Sequence, residues 1–311
     1  MGKLAFIFPG QASQYVGMGK DWFSAFPFAK EMFEQADRVM GYSLSSICFN
    51  GPEDELRQTR ITQPAIFVHS LVVATWLKEK GIQPDITAGH SLGEYSALVA
   101  AGAGDFHHVL PVVQRRGVLM QEAGTQYPGT MAAVIGLTFE VIIDVCKEAS
   151  SAGVVVPANV NSPGQVAISG SIEGVHKAME IAKTKGARRV QELVVSGAFH
   201  SPLMKPAQEG LSQVLNQLEL KIPRVPVVVN VTAEPVSSID ALRESLKNQL
   251  TSPVLWEPSV RKMVELGVDR MIEVGPGKVL QGLVRRISPE VQLFGCDTVE
   301  QASEILSNFK H

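Results

Sequence analysis

Cysteine is scarce in this chain. Three residues in 311, Cys48, Cys146 and Cys296, are too far apart to suggest a disulfide framework, and no C-x-x-C pair offers a zinc site. Reduced thiols in a cytosolic setting are the simplest reading. A charge surplus is also missing: 28 Lys and Arg face 31 Asp and Glu, a net charge of -3. That balance gives no overall attraction to nucleic acid or to an anionic membrane. No apolar run approaches the roughly 18 residues of a membrane helix. The short run at the N-terminus is cut by Pro9 and Gly10 well below the length of a signal-peptide core. Internal repeats, low-complexity tracts and long linkers are absent too. The expectation is a soluble cytoplasmic protein with neither nucleic acid nor membrane as partner.

What is present is an ordinary globular composition, 45% hydrophobic and 19% charged, in a chain long enough for a sizeable core. Lys3 to Phe8 reads as a buried strand. Phe23, Phe26, Met32, Phe33, Ala36, Val39 and Met40 recur at near-helical spacing. Pro64 stands where a first helical residue belongs, and that helix stops at Lys80-Gly81. Asp85 to His90 then reads as a strand, Ser91 as a sharp turn and Leu92 to Ala101 as a helix.

Between residues 128 and 196 the rhythm changes to β-α-β-β-α-β. Strands are expected at Met131 to Gly136, Val154 to Ala158, Gln165 to Ser169 and Arg188 to Val195, with helices at Phe139 to Ala149 and Val175 to Lys185. This is the ferredoxin-like split motif in a length that could form its own lobe; the alternative is that these strands extend the main sheet. A helix at Pro202 to Leu218, a strand at Val225 to Val231, two further helices and a last strand at Met271 to Val274 complete an α/β pattern, a parallel sheet covered by helices.

Gly89-His90-Ser91-Leu92-Gly93 fits G-x-S-x-G, a serine on a strand-to-helix turn tight enough to need small neighbours. The following helix would aim N–H groups and its positive end at a developing oxyanion. Seven histidines could supply a base. His90 adjoins the serine and should point away; His69, His107, His108 and His176 fall on or near helices, and His311 is terminal. His200, in a small-residue loop, is the best candidate. F-P-G-Q-A-S-Q after the first strand could offer a backbone N–H at Gln11, or be a plain βα turn. Taken alone, Arg115-Arg116 reads as a surface pair, although one arginine could grip a carboxylate.

Taken together, G-Q-A-S-Q, T-Q-P-A at 62–65, G-H-S-L-G-E-Y at 89–95, Q-R-R-G-V-L-M-Q at 114–121, A-N-V-N-S-P-G-Q at 158–165, G-A-F-H-S-P-L-M at 197–204 and E-V-G-P-G-K at 273–278 occur in the order seen in malonyl-CoA:acyl carrier protein transacylases. The chain resembles a free-standing member of that family over essentially its whole length. The resemblance implies an α/β-hydrolase-like subdomain from 1–127 and 197–311, with a ferredoxin-like subdomain inserted at 128–196. It further implies Ser91 as acyl acceptor, His200 as general base and Arg116 as the grip on the malonyl carboxylate. The N–H groups of Gln11 and Leu92 would form the oxyanion hole, Gln63 would line the site, and the Gln249 carbonyl would orient the histidine in place of an acid. Leu92 and Phe199 resemble those of malonyl-selective members. Ala12 departs from the usual glycine. Malonyl-CoA is then the expected substrate and acyl carrier protein the partner, with no bound cofactor or metal and a monomeric state. A serine acyl-thioester hydrolase is the alternative. Lys183, Lys185, Arg188 and Arg189 are candidates for carrier contact, or a solvated basic face.

Overall fold

In the computed structural model, which describes residues 2–309, two separate sheets are present. In chain order the strands are β1 (Lys3–Phe8), β2 (Ile86–Gly89), β3 (Thr130–Ile135), β4 (Val155–Ser162) and β5 (Gln165–Gly170). They continue with β6 (Arg189–Glu192), β7 (Val227–Val228), β8 (Pro235–Val236), β9 (Val268–Val274) and β10 (Gln292–Cys296). The larger sheet runs β10-β9-β1-β2-β7-β8, parallel throughout except for β8, which returns antiparallel to β7. Helices cover both faces, so β1 is buried from Leu4 to Phe8, as a continuous apolar run requires. This is the α/β-hydrolase-like architecture that the resemblance implied.

Register positions the chemistry. Phe8 pairs with Gly89 and Ala88 with Val228, so β1, β2 and β7 end side by side. The loop at Gly10, the turn at Ser91 and the segment at Asn230 leave from those ends. Sites in open parallel sheets form at this edge.

The second sheet has the antiparallel order β4-β5-β3-β6, the ferredoxin-like arrangement, with helices Phe139–Ala149 and Ile172–Thr184 closing a core around Ile142, Val145, Ile168 and Val175. These strands do not extend the main sheet. The two sheets are joined near Val254, whose N–H bonds Ala158 at 2.8 Å and whose carbonyl accepts from Val160 at 2.9 Å.

Three local expectations are corrected. Pro64 does not open its helix, which runs Thr59–Glu79 with Pro64 inside it. The start was hidden because Gln58 makes no side-chain cap, and the helix tolerates the missing N–H of Pro64. The amphipathic run at 23–40 is two helices, Lys20–Ala25 and Pro27–Met40, broken where Phe26 is extended ahead of Pro27. Met271 to Val274 is not the last strand, since β10 follows at the sheet's edge, largely half-buried and without a strong apolar pattern. No helix among the described residues is long and apolar enough to cross a membrane.

Candidate active site

Ser91 sits between β2 and the helix Gly93–Ala100 with φ +51, the left-handed backbone of a tight elbow. Sterics explain both flanking glycines. A Cβ on Gly89 would lie 1.9 Å from the Gly93 carbonyl carbon, and one on Gly93 would lie 2.1 Å from the Phe8 carbonyl oxygen. Gly10 comes equally close, its would-be Cβ 2.4 Å from the His90 carbonyl oxygen. The β1 loop is thereby pressed against the elbow. Neither the Gln11 N–H nor the Leu92 N–H has a protein partner among the described residues. The Ser91 N–H, by contrast, is taken by Asn230 Oδ1 at 2.8 Å.

His200, also left-handed at φ +59, brings Nε2 to 2.8 Å from Ser91 Oγ. Its Nδ1 lies 2.9 Å from the Gln249 carbonyl. A carbonyl only accepts, so the proton sits on Nδ1 and the lone pair of Nε2 faces the serine. Burial, reinforced by the nearby Arg116 charge, pushes the His200 pKa down to about 3. The imidazole is therefore neutral at any ordinary pH, and its Nε2 lone pair can accept a hydrogen bond from Ser91 Oγ.

Arg116 is the fully buried member of its pair, while Arg115 is exposed. It reaches the site from the helix Phe106–Gln126, whose Gly117 lets the Thr59–Glu79 helix pack within about 3.0 Å of a Cβ. Its Nη1 donates to Gln63 Oε1 at 2.6 Å, and its Nη2 to Gln249 Oε1 at 2.9 Å and Ser91 Oγ at 3.0 Å. The guanidinium stacks over Tyr95 at 5.4 Å, and its Nε has no partner. Burial lowers its pKa, and no carboxylate bonds it directly. A buried cation held only by neutral groups beside Ser91 Oγ can receive an anion.

Beneath the elbow lies Glu94, 0% exposed. It accepts from the Asn230 N–H at 2.8 Å, from Gln249 Nε2 at 3.1 Å and from Ser245 Oγ at 3.3 Å. Burial raises its pKa to about 7, against the pull of those donors and of Arg116. Asn230 also donates from Nδ2 to the Gly89 carbonyl at 2.6 Å. Neither residue stood out in the sequence, although Glu94 lies inside the serine motif.

The remaining histidines are elsewhere. His90 turns away from Ser91 to Asn161 at 2.9 Å and packs beside Trp256. His69 is buried against Asp297, His108 bonds Asp105 at 2.8 Å, His176 bonds Glu192 at 3.2 Å, and His107 meets Gln35. His311 lies outside the described residues. A cavity of about 790 Å³ opens over the dyad. Ser91, Leu92 and Gln63 line it together with Phe199, Met131, Asn159 and the Leu193–Val195 strap. No group of three or more metal-ligating side chains occurs among the described residues.

The family model "Acyl transferase domain" matches residues 5–297. This chain belongs to the acyl transferase family. It is similar to the malonyl CoA-acyl carrier protein transacylase of Bacillus subtilis, at 45% identity with 98% of each chain covered. Among solved structures it resembles an acyl carrier protein S-malonyltransferase from Vibrio cholerae, with 41% identity, TM-score 0.94, and 97% and 99% of the two chains covered. It also resembles a malonyl-transacylase solved in complex with a type II PKS acyl-carrier protein, with 42% identity, TM-score 0.95, and 98% and 99% covered. Within this acyl transferase, Arg116, His200, Asn230 and Gln249, from four separate segments, all bond Ser91. Ala12, on the loop above it, holds φ +82, a conformation that costs an alanine about 1–2 kcal/mol and a glycine little.

Proposed function

We propose that the protein moves a malonyl group from malonyl-CoA to the phosphopantetheine thiol of an acyl carrier protein through a malonyl-serine intermediate. The observation that carries this reading is the buried Arg116 fork, 3.0 Å from the Oγ of the nucleophile. A free carboxylate on the acyl group has its partner there.

His200 Nε2 takes the Ser91 proton as Oγ attacks the thioester carbonyl carbon. The oxyanion is received by the free N–H groups of Gln11 and Leu92. The C–S bond then breaks, the imidazolium returns the proton to the departing CoA thiolate, and malonyl-Ser91 remains. In the second half the carrier thiol gives its proton to His200 and attacks the ester, which restores Ser91. Gln249 holds the imidazole from its carbonyl, so no aspartate is needed for the tautomer. Donor and acceptor carry the same pantetheine arm and use one cavity in turn. Lys183, Lys185, Arg188 and Arg189 are exposed on the inserted lobe and can meet an acidic carrier. The unpaired cysteines support a cytoplasmic setting.

The test is intact-protein mass spectrometry after incubation with malonyl-CoA, with and without carrier. A malonyl adduct should form on the wild type, move to the carrier when it is added, and be absent in Ser91→Ala. An adduct on another residue, or free malonate as the main product with carrier present, overturns the reading.

A further inference from the structure

Three buried acids are found among the described residues, and only one of them touches the site. Glu273 bonds the N–H groups of Leu280 and Gln281, and Asp297 bonds Tyr15 and Gly277. Glu94 instead accepts from Gln249 Nε2, while the other end of that same amide, Oε1, accepts from Arg116. Gln249 Nε2 also donates to the Ser91 carbonyl at 3.0 Å, and the Gln249 backbone carbonyl holds His200. One side chain thus spans from a buried cation to a buried acid, and its backbone aims the base. All three partners of Glu94 donate to it, the pattern of an ionised carboxylate; with burial raising its pKa to about 7, that form prevails at about pH 8, where the measurements below are made.

We propose that Glu94 is a positioning residue for the transfer, its carboxylate serving as the counter-charge of Arg116 across the Gln249 amide and so setting both the malonyl fork and the aim of His200. The inference rests on the malonyl-transfer reading. It has a consequence with two opposite signs. Without its charge, Arg116 faces a malonyl carboxylate with no internal competitor, so malonyl binds more tightly. Without its grip on Gln249, the imidazole loses its aim and acylation slows for every donor. A residue that only supports the fold would weaken both steps for all acyl groups alike.

Glu94→Gln keeps the shape and removes the charge. Binding is measured calorimetrically for malonyl-CoA and acetyl-CoA in a Ser91→Ala background, where no acylation occurs, and single-turnover acylation is measured with Ser91 present. The expected result is malonyl-CoA affinity up by about fivefold with acetyl-CoA affinity unchanged, the order of effect of one partly screened charge. The amide oxygen of Glu94→Gln can still accept from Gln249 Nε2, so acylation should slow only about twofold, alike for both donors. Glu94→Asp, which keeps the charge but shortens the reach, should slow acylation while leaving the malonyl-to-acetyl affinity ratio at the wild-type value. If Glu94→Gln does not fold, pH decides with Glu94 in place: in the Ser91→Ala background the malonyl-to-acetyl affinity ratio should rise as Glu94 loses its charge below about pH 7, and a ratio that stays flat or falls overturns the proposal. In Glu94→Gln an unchanged or lowered ratio does the same. Absence of a malonyl adduct in the wild type would instead remove the transfer reading itself.

Discussion

Replacing Arg116 tests whether the buried fork selects the acyl group. In the resting site its two Nη groups are occupied by the amides of Gln63 and Gln249 and by Ser91 Oγ, all neutral. A malonyl carboxylate would convert two of these contacts into charge-assisted hydrogen bonds, each worth about 1.5 kcal/mol or more. Together they amount to about 3 kcal/mol, roughly a hundredfold in acylation. Acetyl offers nothing to the fork. Arg116→Ala also strands the two glutamine oxygens and opens space, but those penalties fall on both donors and cancel in the ratio of kcat/KM for malonyl-CoA to acetyl-CoA. That ratio should drop about a hundredfold. Arg116→Lys restores a charge without the planar fork, so it should recover only part of the preference. The assay is rapid-quench acylation by each donor, with carrier acylation and free-acid release followed separately. A ratio unaltered in Arg116→Ala would refute the reasoning.

His200→Ala should slow acylation by roughly two to four orders of magnitude, the usual worth of a positioned base; a loss found instead in His90→Ala, with His200→Ala active, would show the wrong imidazole chosen. In a histidine NMR titration His200 should stay neutral from pH 8 to pH 5, because burial holds its pKa near 3, and a midpoint near 6.5 would contradict this. The unfolded chain binds the proton that buried His200 refuses, so this residue's contribution to stability is present above about pH 6.5 and declines as pH falls toward 3. Gly93→Ala forces a Cβ to 2.1 Å from the Phe8 oxygen, and should cost about 3 kcal/mol in urea denaturation as well as most of the activity; an unshifted midpoint would mean the elbow yields easily.

Local pattern carried the elbow well. Gly89 and Gly93 are legible because only sterics at a sharp turn ask for two glycines around a serine, and the inserted lobe is legible because six short elements repeat a known order. Pattern alone ranked His200 first only among several histidines and put Arg116 on the surface; the resemblance gave both their roles. Pattern failed where a polar side chain is buried by distant chain. Glu94 in a first helical turn reads as a surface acid suited to the helix dipole, and Asn230 between two valines reads as the wet face of a strand. Their burial depends on Ser245 and Gln249, more than a hundred residues beyond Glu94. The Thr59 helix start and β10 were missed for the opposite reason, since each lacks a strong local signal of its own.

The two sheets divide the cavity between them. The large one supplies Ser91, with His200 from a loop and Arg116 from a helix beside it, while Met131, Asn159 and the Leu193 strap come from the inserted lobe. Reaction and admission are therefore separable properties of one molecule. Changes confined to the insert can widen or narrow the entrance, and so alter which thioesters get in, while the hydrogen-bond chain from Ser91 through His200 to the Gln249 carbonyl keeps its geometry.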